Sequence, residues 1–210
     1  MITDWKNEDA QHFEAHAIEA LQPLYQWFVK DIEQITGNSV RDRNILDIGC
    51  GPGFMLKALS DAGAAMITGV DLSLAMLQTA AKSGRADNAL LIQADVTRLP
   101  LKAAQFDFVF SRGSIFFWQE LERSLRQIAT CLKPMGTAIL GGGYGLSSPQ
   151  ELVDAARRNH SGNSASTIPK IDLDQLLACA RSQGGSAEIK AAPRRGFWLA
   201  WQPQQPSIFV

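Results

Sequence analysis

Asp47, Gly49, Gly51 and Gly53 alternate through the stretch LDIGCGPGF. Glycines at that spacing let the main chain turn tightly and come against a ligand without a Cβ in the way. Further carboxylates stand at Asp71, in GVDLS, and at Asp95, in QADVTRLPL. An acid at the end of the next strand is placed to accept both hydroxyls of a ribose. Asp95 beside Val96 suits an adenine ring, because the carboxylate accepts from the exocyclic amine while apolar neighbours pack on the ring face. Together these stretches describe a pocket for an adenosine with no clamp for a diphosphate.

Two other nucleotide loops do not fit. A Walker A loop ends in Gly-Lys-Ser/Thr, and Phe54-Met55 stand where that ending would be. The dinucleotide pattern GxGxxG is matched at Gly49 and Gly51, but its third glycine position is Phe54. A nicotinamide-dependent oxidoreductase is therefore the lesser alternative.

The elements that must carry these residues alternate between strand and helix. NILDIGC (Asn44–Cys50), MITGVD (Met66–Asp71), ALLIQAD (Ala89–Asp95), FDFVFS (Phe106–Ser111) and TAILGG are short apolar runs and read as buried strands. FMLKALSDAG and LSLAMLQTAAKSG read as helices between them, the second with Ser73 as N-cap and Gly84 as stop. A helix is predicted from about Phe117 to Leu132, with a turn at Lys133–Gly136. Two more helices are predicted at Pro149–Asn159 and Asp172–Gln183. SAEIKAAP and GFWLAWQP are too close for a helical crossover and predict an antiparallel hairpin around Arg194-Arg195-Gly196. Near-continuous apolar strands imply a mostly parallel sheet covered on both faces. Ahead of the sheet, about Asn7 to Thr36 reads as helix in two pieces broken near Pro23. Ligands of such a sheet bind beyond the carboxyl ends of its strands, where LDIGCGPGF, Asp71 and Asp95 all fall.

LDIGCGPGF, GVDLS and QADVTRLPLKAAQFDFVFS, in this order, resemble the class I S-adenosylmethionine-dependent methyltransferases of the small-molecule branch often called type 11. The resemblance covers about Asn44 to Gly142, and the order of later elements extends it to the C-terminus. It implies an α/β Rossmann-like three-layer sandwich with a seven-stranded sheet of order 3-2-1-4-5-7-6, strand 7 antiparallel. On this reading residues 1–210 form a single domain, with 1–37 a helical cover and 44–210 the core. The implied cofactor is S-adenosyl-L-methionine, leaving as S-adenosyl-L-homocysteine. Its implied site is Asp47, Gly49, Cys50, Gly51 and Gly53 at the methionine portion, Asp71, Leu72 and Met76 at the ribose and adenine, and Asp95 and Val96 at the adenine. Ser111 and Arg112 would lie near the sulfonium.

Methyl transfer from a sulfonium is an in-line displacement that releases a neutral thioether, so positioning supplies much of the catalysis. A base is needed only where the nucleophile is protonated. The catalytic group is open, with Arg112, Ser114, Tyr144, His12 and His16 as candidates. SRGSIFFWQE should form one substrate wall. It lacks the Asn/Asp-Pro-Pro-Tyr/Phe of enzymes acting on amino groups of bases or glutamine. Phe116, Phe117 and Trp118 could wall an apolar or cationic acceptor, or anchor the next helix. Arg112 could bind a carboxylate or phosphate bidentately, or form a structural ion pair. His12 and His16 share a helix face. They could supply a base or bind a metal, or simply be solvated; no metal site is assigned. Cys50 reads as a small buried filler. Gly141–Gly145, the run GGGYG, should lie on the substrate side, with Tyr144 either facing the pocket or on the surface.

Composition bounds the rest. A chain of 210 residues with 46% hydrophobic residues can bury one sizeable core. A net charge of −1 gives no reason to expect nucleic-acid or anionic-membrane tracks. The three cysteines are far apart with no CxxC pair, against a disulfide framework or structural zinc. The N-terminus shows no signal peptide and no run is long enough to span a bilayer, so the expectation is a cytoplasmic protein, monomer or homodimer, acting on a small-molecule methyl acceptor. A catalytically silent member of the fold, binding the cofactor as sensor or assembly subunit, is the other alternative.

Overall fold

The computed structural model describes residues 21–84, 86–160 and 169–204. His12, His16 and the low-complexity stretch Ser161–Thr167 lie outside the described residues. Pro23 sits in a 3-10 turn, Gln22–Leu24, and helix α1 (Tyr25–Thr36) starts directly after it. The proline fixes the turn's backbone angle and lacks an N–H to donate, so it suits a helix entry. Gly37, in the left-handed region with φ 67°, closes the helix by donating to the Glu33 carbonyl.

Beyond α1 the chain alternates as its apolar runs require. The order is β1 (Asn44–Ile48), α2 (Phe54–Asp61), β2 (Met66–Asp71), α3 (Leu74–Thr79), β3 (Ala89–Gln93) and β4 (Phe106–Arg112). Then come α4 (Leu121–Cys131), β5 (Leu132–Gly143), α5 (Gln150–His160), α6 (Leu173–Ser182), β6 (Ser186–Ala192) and β7 (Gly196–Gln202). The seven strands form one sheet of order β3-β2-β1-β4-β5-β7-β6. β1 to β5 pair in parallel, and β7 runs antiparallel to both β5 and β6.

The sheet is covered on both faces because successive strand residues point to opposite sides. Ile45, Phe108, Phe110 and Trp198 pack with Phe28 and Ile32 of α1 and Leu56 and Leu59 of α2. Their chain neighbours Leu46, Val109 and Leu199 pack on the other face with Leu125 and Ile128 of α4 and Leu176 of α6. Trp198 and Trp201 are fully buried. Burying a large apolar side chain contributes about 1.5–3 kcal/mol, so β7 is a major holder of both layers.

Two local expectations are corrected. Lys133–Gly136 is not a turn outside the sheet. It is an irregularity within β5, where pairing with β4 jumps from Phe106↔Leu132 to Phe108↔Thr137. Met135 takes φ 65° there, and its carbonyl accepts from Gln202 Nε2 at 2.8 Å, while Lys133 Nζ pairs with Asp107 at 2.8 Å. The segment's polar groups thus find partners without leaving the sheet. The helix expected from Phe117 is a 3-10 turn, Ser114–Phe117, followed by α4 from Leu121. Trp118, the residue after the turn, is extended with ψ 114°, which stops the helix there, and Phe116 and Trp118 both pack on the layer that holds α4.

Candidate functional site

β1 ends at Ile48, and the next five residues turn the chain from strand to helix. Gly49, Gly51 and Gly53 all lie in the left-handed region, with φ of 70°, 52° and 88°. Gly49 is also sterically required. A Cβ there would stand 2.3 Å from Cβ and 2.6 Å from Oγ of Ser114. Ser114 itself is fixed, donating from Oγ to the Ile48 carbonyl at 3.0 Å and lying 2.6 Å from Ser111 Oγ. The sequence offered Ser114 as a catalytic candidate. The structure uses its hydroxyl to join the strand ends of β1 and β4.

Two carboxylates flank this loop. Asp71, at the end of β2, accepts from the Gly51 amide at 2.8 Å and from the Ser73 amide at 2.8 Å, one bond on each oxygen. Each oxygen keeps a further lone pair. Burial raises its pKa, against the lowering effect of these amides. Asp47 lies within β1, 2% exposed, and its Oδ2 is buried with no hydrogen-bond partner. Burial first, and the nearby Asp71 charge second, push its pKa from 3.8 to about 8. A buried acceptor without a donor is costly. Beside a glycine turn whose own amides are all bonded, to the Val70 carbonyl, Asp71 and the Cys50 carbonyl, it marks a place built for a cationic or hydrogen-bonding group that the protein does not supply.

The adenine-side candidates sit on the adjoining strand ends. Asp95 caps a 3-10 turn, Val96–Arg98, its Oδ1 accepting from the Thr97 amide at 2.8 Å, which leaves Oδ2 open to an outside donor. Val96 is half-buried. Leu72, one residue past Asp71, is 45% exposed, an apolar surface at the rim. Met76 is buried in the first turn of α3, below the Ser73 cap. Cys50 is buried in the loop, and desolvation raises its thiol pKa far above the physiological range, consistent with a filler.

On the other side of the glycine loop stands Arg112, at the end of β4. Nε and Nη2 both donate to the Gly143 carbonyl, at 3.1 and 2.8 Å. Its guanidinium lies 4.9 Å from the centroid of the Phe28 ring on α1. Tyr25, one turn earlier on α1, packs edge-on against the same Phe28 at 5.4 Å and against Phe54, the first residue of α2, at 5.6 Å. Tyr25 was not among the residues singled out from sequence. Its aromatic spacing on a helix looks like core, and only the fold brings it over the loop.

The run GGGYG is not a loop. Gly141, Gly142 and Gly143 belong to β5 and pair with Trp198, Phe197 and Gly196 of β7. A Cβ on Gly141 would lie 2.1 Å from the Phe197 carbonyl oxygen. It is a neighbouring backbone that needs the space. Tyr144 follows half-buried against the layer under α1, with the Arg157 guanidinium 5.7 Å from its ring centroid. The loop after it is held by Asp31 of α1, which is 1% exposed and accepts from the Leu146 and Ser147 amides and Trp198 Nε1 at 2.8, 2.7 and 2.7 Å.

A groove of about 610 Å³ opens at the opposite end of the strands, among Arg43, Asp107, Met135 and Trp201. Of its two carboxylates, Asp107 is already bonded to the Asn44 amide and Lys133, and Glu188 is paired with Lys190. Among the described residues no His/Cys/Asp/Glu cluster could hold a metal, and no helix is long and apolar enough to cross a membrane.

Comparison with known proteins agrees with this geometry. Residues 46–140 match the methyltransferase domain family. The chain is 33% identical over 123 residues to the uncharacterized methyltransferase YdaC of Bacillus subtilis, covering 57% of this chain and 64% of that protein. It is 30% identical over 162 residues to the 27-O-demethylrifamycin SV methyltransferase of Amycolatopsis mediterranei, covering 73% of this chain and 59% of that one. The chain thus spans less than two thirds of the length of these curated relatives. A Methanococcus maripaludis protein assigned as an S-adenosyl-L-methionine-dependent methyltransferase has a crystal structure that superposes with a TM-score of 0.82 at 25% identity, over 99% of this chain and 97% of that one.

Proposed function

The chain belongs to the class I S-adenosylmethionine-dependent methyltransferases, and from that premise we propose that it is an enzyme transferring a methyl group to a small-molecule acceptor. The observation that carries the reading is the pair of carboxylates on either side of the glycine loop, Asp47 buried and Asp71 half-buried. Asp47 keeps an unpartnered oxygen, and Asp71 keeps accepting capacity beyond its two amide bonds.

These residues fit the cofactor. The orphaned oxygen of Asp47 would hold the ammonium of its methionine portion. The Gly49–Gly53 turn would face that portion with bare backbone. Asp71 would accept the ribose hydroxyls, and Leu72, Val96 and the open Oδ2 of Asp95 would hold the adenine. When bound, S-adenosylmethionine supplies an electrophilic methyl group whose bonding pair to sulfur leaves with the thioether. The chain's own work is to orient. Ser111 and Ser114 fix the distance between the strand ends of β1 and β4 on which the reacting groups would lie. Arg112 and α1 close the acceptor side against water. Near-attack placement of this kind can lower a barrier by several kcal/mol. The residues form a single domain in this reading, with α1 as cover.

Calorimetric titration with S-adenosylhomocysteine tests the proposal. Saturable binding that is weakened at least about tenfold in Asp71→Asn is expected, since a hydrogen bond to a charged group contributes about 1.5–3 kcal/mol. Absence of binding by the wild-type chain would overturn the reading. A labelled-methyl assay on a metabolite pool then distinguishes turnover from cofactor binding alone.

A further inference from the structure

Arg112 stands at the end of β4, the strand beside β1, and it is only half used. The Gly143 carbonyl takes donors from Nε and Nη2. A guanidinium has five N–H groups, so the edge formed by Nη1 and the second hydrogen of Nη2 is left over. That edge has the spacing of a carboxylate. Among the described residues Arg112 makes no ion pair; the ion pairs all lie elsewhere. Its side chain is half-buried, with the Phe28 ring beneath it. A cation partly withdrawn from water without a counter-ion is unfavourable.

The hydroxyl of Tyr25 is the second unused donor. It makes no hydrogen bond among the described residues. Burial raises its pKa, opposed by the Arg112 charge and reinforced by that of Asp47, so it stays protonated. Tyr25 and Arg112 flank one ring, Phe28, at 5.4 and 4.9 Å. Tyr25 also touches Phe54, at the exit of the glycine loop. Both groups therefore lie around Phe28, between Phe54 at the exit of the loop and Gly143.

Their place in the sheet says which ligand they meet. The strand order puts Asp71 on the β2 side of the loop and Arg112 with Gly143 on the β4–β5 side. The nucleoside end belongs with Asp71 and the methionine portion with Asp47 and the glycine turn of β1, so the β4–β5 side beyond them is left for the acceptor. We propose that Tyr25 and the free edge of Arg112 form a carboxylate-recognition site for the methyl acceptor, so that the substrate is an anionic carboxylic acid. This rests on the methyltransferase reading and deepens it. Arg112 holds the carboxylate end-on through two N–H groups, and Tyr25 O–H adds a third bond.

The test is titration of the S-adenosylhomocysteine-saturated chain with succinate, and with succinamide as its neutral counterpart, at low ionic strength. Succinate is expected to bind at least about tenfold more tightly than succinamide, as charge-assisted bonds are the stronger ones. Arg112→Gln should weaken succinate by about tenfold or more, and Tyr25→Phe by about three- to tenfold. Tyr25→Phe keeps the ring packing, so it decides the matter even if loss of the Gly143 bonds destabilises Arg112→Gln. S-Adenosylhomocysteine affinity should stay within about threefold in both variants. An equal loss of succinate and S-adenosylhomocysteine affinity would mean that the pair holds the cofactor's own carboxylate, and the proposal falls. Equal binding of succinamide, or no effect of either variant on succinate, overturns it too. If the wild type binds no S-adenosylhomocysteine, the parent reading fails instead, and succinate titration of the ligand-free chain still decides the anion site.

Discussion

Replacing Asp47 by Asn should stabilise the ligand-free chain while weakening its hold on the cofactor, and both effects should grow as pH rises toward 8. Asp47 Oδ2 is buried without a partner, and its pKa rises from 3.8 to about 8. The folded chain then binds a proton that the unfolded chain has lost between those values. By linkage, unfolding free energy falls as pH rises through that window. The stability present at pH 4 is progressively lost toward pH 8, and the curve flattens above it. The slope is at most about 1.4 kcal/mol per pH unit. Water entry and the unpaired-acceptor cost bring the expected total to about 1–3 kcal/mol. Asn at this position carries no titrating group, and Asp71 is common to both proteins. The stability difference between Asp47→Asn and wild type should therefore grow from near zero at pH 4 to about 1–3 kcal/mol in favour of the variant at pH 8. Urea unfolding of both proteins at each pH from 4 to 9 measures it. In parallel, S-adenosylhomocysteine binding to the wild type should release protons below pH 8, because an ammonium beside Asp47 favours its ionised form. Calorimetry in buffers of different ionisation enthalpy reads that release, which the variant should lack. Parallel stability curves, or a wild type more stable than the variant at pH 8, would refute the argument that Asp47 is an uncompensated acid in the empty fold.

Three further outcomes follow from the packing. Gly49→Ala places a Cβ 2.3 Å from that of Ser114 at a φ of 70°; thermal melts should show a loss of about 1–3 kcal/mol, with S-adenosylhomocysteine affinity down at least tenfold or so. Asp31→Ala strips the acceptor from two amides and the Trp198 indole; chemical unfolding should reveal a cost of about 3–5 kcal/mol, whereas a loss below about 1 kcal/mol would show that those donors find water instead. Gly142→Val pushes against the Phe116 ring, 2.7 Å from the added Cβ; it should impair turnover through the Ser114–Phe117 turn while S-adenosylhomocysteine affinity stays within a few-fold, and a large affinity loss would show that β5 supports the cofactor side.

The turn geometry around the glycine loop was legible in the chain itself. Glycine spacing and a carboxylate at each strand end are local signals: Asp47, Asp71 and Asp95 lie next to the turns they serve, and the apolar runs between them set a parallel sheet. The sheet order and its antiparallel β7 were recovered through the family resemblance and match the structure. The surroundings of Arg112 depend on contacts across long stretches of chain, which leave no local pattern. GGGYG looks like a ligand loop because glycine is permissive, yet only the register with β7 shows that its space is filled by Phe197 and Arg195 backbone. Ser114 reads as a catalytic candidate, yet its bond to the Ile48 carbonyl beside the close approach of Gly49 makes it a strand-end tie. Tyr25 reads as one more aromatic on an amphipathic helix, and only packing of α1 over Phe54 brings it to the same Phe28 ring as Arg112. Residue type and spacing are enough where a turn makes the site. Where separate elements meet to make it, tertiary packing decides which side chains face the ligand.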